Sequence, residues 1–163
     1  MDDEYNSLME NDTWELVDLP PGRKVVQCKW VFKQKISADG TPTKKKARLV
    51  AKGFTQTEGV DYFETYAPVA KIATIRFLIA FIIHSGWKVR AVDVVTAYLN
   101  GKLKELIYMQ QPPGKVSKAH PKKVCRVKRG IYGLKQSGRE WNSDIDDTLT
   151  SVGYVRSEVD RCV

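Results

Sequence analysis

Long hydrophobic runs, histidine and paired cysteine are what this 163-residue sequence has least of. The longest apolar run in a helix-like stretch is Phe77–Ile83, seven residues, against the roughly 20 that cross a bilayer. A membrane partner is therefore not expected. No basic start followed by an apolar stretch is visible, so no secretory signal is expected either. Cys28, Cys125 and Cys162 form no CxxC pair, and only His84 and His120 could join them as soft ligands. A zinc site or disulfide framework is not expected, and reduced thiols in a cytosolic setting are. GxxxxGK(S/T), GxGxxG, HExxH and GxSxG are all absent, which leaves P-loop, dinucleotide, zinc-protease and hydrolase readings without support.

Charge of one sign is missing from whole blocks. Residues 1–22 hold seven acids and no Lys or Arg, whereas residues 115–139 hold nine basic residues and no acid. Residues 23–52 hold ten basic residues and one acid, and the formal net charge of the chain is +8. The basic excess thus sits in two blocks separated by a near-neutral stretch. If the fold brings them together they form a strongly positive face suited to nucleic acid; otherwise they are two solvated loops.

The 42% hydrophobic content suits a soluble globular chain long enough for one core. Cys28, Trp30, Phe32 and Ile36 alternate with Lys29, Lys33 and Lys35, the period of a half-buried strand. Asp39-Gly40 then supplies a hairpin turn, and Lys45–Lys52 alternates again, predicting a hairpin with one apolar and one basic face. Apolar residues at 72, 75, 79, 82 and 83 predict a helix over Ile72–His84, stopped near Gly86. Strands are expected over Lys88–Val94, Ile107–Gln110 and Lys122–Lys128, with a short helix or turn through Gly101. A last helix over 139–151 is expected from Trp141, Ile145 and Leu149. Helices mixed with hairpins give an α+β fold class.

Asp93 is the residue that asks for an explanation. A carboxylate among the apolar residues of an expected strand core costs several kcal/mol unless it is paired or binds a metal. Beside a basic, phosphate-friendly surface, magnesium suits it, because one or two carboxylates hold that ion while phosphates and water complete its octahedron.

"WELVDLPPGRKVVQCKWVFKQKISADG", "KKKARLVAKGFTQTEGVDYFETYAPVAKIATIRFLIA", "VDVVTAYLNGKLKELIYMQQPPG", "IYGLKQSGREW" and "SEVDRCV" follow one another from Trp14 to Val163. This ordered set resembles the N-terminal part of the reverse transcriptase of copia-type retrotransposons. The resemblance implies a right-hand polymerase: an acidic segment over 1–13, then fingers at about 14–87 and 113–137 and an incomplete palm at about 88–112 and 138–163. It implies RNA-directed DNA polymerase activity in the intact parent, with two magnesium ions, an RNA or DNA template-primer and deoxynucleoside triphosphates. Adjoining polyprotein segments would be the rest of the palm, a ribonuclease H and an integrase. The setting would be cytoplasmic, in virus-like particles for an intact element.

Carried onto this sequence, the motif DVxxA(F/Y) makes Asp93 the catalytic metal ligand, with the Val94 carbonyl helping to hold one ion. Tyr98 would lie under the incoming sugar and reject a 2′-hydroxyl. Lys46 and Arg48 would grip the triphosphate, while Gly133, Lys135 and Gln136 would line the nucleotide and template side. Two departures stand out: Gly138 and Glu140 replace the family's usual residues after "LKQS", and no second carboxylate motif occurs, Asp146-Asp147 falling within an expected helix. The 163 residues are accordingly expected to show no polymerase activity alone, with a basic nucleic-acid-binding remnant as the alternative.

Overall fold

The computed structural model describes residues 1–163, the side chain of Lys44 excepted. Helix α1 (Asp2–Glu10) leads into strand β1 (Trp14–Val17); a long hairpin follows, β2 (Cys28–Ile36) and β3 (Pro42–Ala51), then helix α2 (Ile72–His84). A short helix α3 (Ala97–Asn100), strands β4 (Lys102–Met109) and β5 (Val124–Arg129), and helix α4 (Ser137–Ser151) complete the order. The architecture is α+β, as the alternation of patterns predicts.

The core forms where one sheet meets the base of the hairpin. In the sheet β5 is central, antiparallel to both β1 and β4. Ile107, Met109, Cys125 and Val127 are fully buried there with Trp14, and Cys28, Leu49 and Ala51 join from the hairpin base. Each such aliphatic side chain contributes about 1.5–3 kcal/mol by leaving water. Val26 links the two parts: its N–H donates to the Tyr108 carbonyl at 2.8 Å and its own carbonyl accepts from Gln110 N–H at 3.0 Å. On the far side the Ala51 N–H donates to the Tyr132 carbonyl at 2.7 Å. The hairpin is thereby tied at its base, to β4 on one side and to the turn after β5 on the other.

Alternation in β2 fixed the faces but not what would cover them. The arms are nine and ten residues long and outrun the core, so Phe32 and Ile36 on the apolar side are 69% and 66% exposed. Gly40 takes the left-handed conformation expected of the turn, at φ +83°, while Asp39 does not. The Asp39 carboxylate instead accepts from Thr41 N–H and from the Ser37 and Thr41 hydroxyls. Those bonds hold its carboxyl down to about 2.

Helix α2 spans the predicted residues, and Gly86 at φ +66° closes it. None of its residues is buried. It is anchored at its start, where the buried Asp160 carboxylate accepts the Lys71 N–H at 3.2 Å, and at its end Phe81 packs edge-on against Trp87 at 5.4 Å.

The strand expected over Lys88–Val94 does not form. That stretch is irregular and exposed. A strand needs a neighbour's N–H and C=O groups, and no strand of either sheet among the described residues pairs with this stretch. Asp93 therefore does not stand in a strand core. The strands expected at Ile107–Gln110 and Lys122–Lys128 do form, as β4, which begins earlier, and β5.

Candidate nucleotide-binding cleft

A cleft of about 580 Å³ opens where α1, β3, the 93–99 segment and the turn after β5 converge. The hairpin register sets one wall. Lys46 and Arg48 lie two apart on β3, so both side chains leave the same face of the strand, and both reach the cleft. Lys46 stands opposite Lys33 on β2, a like-charged pair that is destabilising without an anion nearby.

The second wall is aromatic. Leu99 is buried and fixes α3 against the core, which leaves the preceding Tyr98 at the cleft. Its ring meets Tyr132 edge-on, centroids 5.0 Å apart at 77°. The Arg48 guanidinium sits 5.0 Å from the Tyr132 ring centre. Arg48, Tyr132 and Tyr98 thus touch in one continuous row, in which the cation is held by the Tyr132 ring electrons. The Arg48 Nε–H is buried and has no hydrogen-bond partner among the described residues. A buried donor without an acceptor is costly, and here it belongs to a side chain of the cleft.

Asp93 and Val94 close the third side. Between them and Tyr98, Thr96 holds the left-handed conformation, φ +52° and ψ +41°. For a β-branched residue that is a strained backbone, costing on the order of 1–3 kcal/mol. The strain lies two residues from Tyr98 and three from Asp93.

Lys46, Arg48, Asp93, Val94 and Tyr98 are brought together in this cleft from segments some 45 residues apart. Gly133, Lys135 and Gln136 do not line it. Their turn faces the 53–62 connector instead. Gln136 is 0% exposed; its Nε2 donates to the Asp61 carbonyl at 2.8 Å and to Glu105 Oε2 at 3.2 Å, and its Oε1 accepts from Gln56 Nε2 at 3.0 Å. Gln56 Oε1 in turn accepts the Lys135 N–H at 2.9 Å. The Lys135 ammonium donates to the Tyr62 hydroxyl at 2.7 Å. In this arrangement these residues lock the connector to the start of α4, because every polar atom of a buried amide needs a partner.

Sequence reasoning missed two contributors. Tyr132 sits between Arg48 and Tyr98, and Glu4 of α1 also lines the cleft. The signal for Glu4 was the block charge itself: an acidic first segment beside a strongly basic second one.

The two basic blocks meet. Besides the bond from Ala51 to Tyr132 and the stack of Arg48 on Tyr132, the Trp30 Nε1–H donates to the Pro113 carbonyl at 2.8 Å, just before residues 115–139 begin.

With this geometry in place, comparison with known proteins defines the class. The family described as reverse transcriptase (RNA-dependent DNA polymerase) matches residues 11–163, and the chain belongs to that family. Within it the chain is of the copia type. It is 44% identical over 158 residues to the retrovirus-related Pol polyprotein from transposon RE2 of Arabidopsis thaliana, covering 96% of this chain and 11% of the relative. It is 40% identical over 163 residues to the retrovirus-related Pol polyprotein from transposon TNT 1-94 of Nicotiana tabacum, 100% of this chain and 12% of the relative. The transposon Ty1-H Gag-Pol polyprotein of Saccharomyces cerevisiae is 28% identical over 157 residues, covering 90% and 8%. The chain therefore spans about a tenth of the length of the curated relatives it matches. No solved structure matches it.

Proposed function

We propose that the chain supplies the nucleotide-gripping end of an RNA-directed DNA polymerase acting on a template-primer and deoxynucleoside triphosphates. In this reading residues 14–87 and 113–137 serve as fingers, and 88–112 and 138–163 as part of the palm. One observation carries it: two cationic residues of β3, Asp93 and an edge-to-face tyrosine pair converge on a single cleft. Lys46 and Arg48 take the triphosphate, the free Arg48 Nε–H finding an oxygen acceptor there. Tyr98 packs under the sugar and discriminates against a 2′-hydroxyl.

The donor chemistry fits magnesium. The Asp93 carboxylate and Val94 carbonyl are hard oxygen ligands, and the neighbouring cations suit the phosphates that complete the ion's octahedron. When bound, such ions neutralise charge on phosphoryl oxygens and activate an attacking hydroxyl. Asp93 and Val94 would hold them here.

Calorimetric titration of the 163-residue chain with dTTP, with and without magnesium, tests this reading. The expectation is saturable binding that Arg48→Ala weakens about tenfold or more, with Asp93→Asn abolishing the magnesium dependence. Binding indifferent to both substitutions overturns it.

A second reading, binding of nucleic-acid backbone without chemistry, is favoured by the meeting of the two basic blocks and by Lys33 standing opposite Lys46. It predicts oligonucleotide binding that falls steeply with salt through counterion release, together with no dTTP binding.

A further inference from the structure

Helix α1 is firmly docked. Leu8 is buried in the core, and the Thr13 hydroxyl donates to the Leu8 carbonyl at 2.6 Å. Tyr5 packs against Trp14 with centroids 6.1 Å apart. Lys115 lies over the Tyr5 ring and pairs with Asp2 at 2.6 Å.

Residues four apart share one face of a helix. Fixing Leu8 inward therefore fixes Glu4 inward as well, and Glu4, Ser7 and Leu8 all line the cleft beside Lys46, Arg48 and Leu49. No ion pair within 4.0 Å joins Glu4 to Lys46 or Arg48 among the described residues. Burial pushes the Glu4 carboxyl above its ordinary value, while the Leu49 N–H and the charges of Lys46 and Arg48 pull it down. An acid half out of water and close to two cations, without a closed salt bridge, does not serve chiefly to hold the fold together. It lowers the positive potential of the wall where phosphates would enter.

From this placement we infer that Glu4 is a specificity-determining residue of the cleft, an internal anion that polyphosphate must outcompete at Lys46 and Arg48. The inference rests on the polyphosphate reading of the cleft. Its consequence is graded by ligand charge: Glu4 repels an uncharged nucleoside not at all, a diphosphate moderately and a triphosphate most. Every ligand therefore meets the same packing, and only the charged ones meet the carboxylate. A merely structural Glu4 would change all three alike.

The test is titration of the full chain with inorganic tripolyphosphate, pyrophosphate and thymidine. Glu4→Gln keeps the shape and removes the charge, and is expected to tighten tripolyphosphate about tenfold, pyrophosphate less and thymidine not at all. Glu4→Asp, which restores the charge, is expected to return tripolyphosphate affinity toward that of the unsubstituted chain. If Glu4→Gln does not fold, Glu4→Ala takes its place in the same titration, with the same graded gain expected. Unchanged tripolyphosphate affinity, or a gain shared equally by thymidine, overturns the inference. If tripolyphosphate binds and Arg48→Ala abolishes that binding while Glu4→Gln leaves it unaltered, the polyphosphate reading stands and the role of Glu4 falls. If tripolyphosphate does not bind even to the unsubstituted chain, both fall together.

Discussion

Gly53 and Gly133 touch backbone to backbone: a Cβ on Gly53 would lie 2.0 Å from the Gly133 carbonyl oxygen, and one on Gly133 would lie 2.1 Å from that of Ala51. This contact is the seam along which the hairpin bearing Lys46 and Arg48 meets the turn bearing Tyr132. Gly133 also sits at φ +91°, where a side chain is strained whatever the space. Alanine at either position is expected to force the seam apart and cost about 1–3 kcal/mol, read by urea denaturation. Arg48 would lose its place over Tyr132, so dTTP affinity should fall with stability.

Strain at Thr96 gives a prediction of opposite sign. Asparagine tolerates the left-handed region better than a β-branched residue, so Thr96→Asn is expected to raise stability by about 1 kcal/mol. Thermal unfolding of the two proteins checks it, and a lower midpoint would mean that Thr96 is held by packing rather than strained.

Gln136→Leu is expected to destabilise by about 1–3 kcal/mol, because Gln56 and the Asp61 carbonyl lose a buried partner while the volume changes little. Hydrogen exchange should quicken at Lys135 and Thr57, amides bonded within this network. If Gln136 instead lines the nucleotide pocket, the substitution will weaken dTTP binding without loss of stability.

Asp160 gives the pH dependence. The Cys162 N–H, the Thr74 hydroxyl and the Lys71 N–H hold its carboxyl below the ordinary 3.8. A depressed acid stabilises the fold at pH above its unfolded value, and that stabilisation is lost as pH falls through the folded one. The start of α2 is therefore expected to stay anchored at neutral pH and to loosen below about pH 3.8. Amide exchange at Lys71 across that range would show it, and Asp160→Asn should flatten the response.

The three thiols should separate cleanly. Burial pushes Cys125 up to about 12, with Cys28 alongside, and raises Cys28 as well, while Cys162 is exposed. Iodoacetamide at pH 8 is expected to alkylate Cys162 in the folded chain and the other two only after denaturation, as mass spectrometry would count.

Periodicity made α2, α4 and the hairpin legible, because Ile72–His84 and Cys28–Ile36 carry the repeats of their elements over a full length, whereas α1 at Asp2–Glu10 and β1 at Trp14–Val17 lie in stretches where the pattern predicts no element. The same logic failed at Lys88–Val94. Alternation tells which residues share a face, but not whether a partner strand arrives. Polar residues in the 53–62 connector looked like a loop, and nothing in their spacing shows that Gln56 and Asp61 turn inward to meet Gln136 some 75 to 80 residues later. The cleft was half readable. Asp93, Val94, Lys46, Arg48 and Tyr98 came from motif resemblance, whereas Tyr132 and Glu4 reach the cleft only through tertiary packing.

The register of β1 on β5 pairs Leu16 with Cys125, partners about 110 residues apart along the chain. At synthesis rates of roughly 5–20 residues per second, β1 waits on the order of 5–20 s for its neighbour to be made. Trp14 and Leu16 emerge early and remain uncovered for that interval. Chaperone dependence during translation should therefore track the delivery of residues 124–127, and synonymous changes that slow decoding between β1 and β5 should lower the soluble yield of a protein whose finished structure they leave untouched.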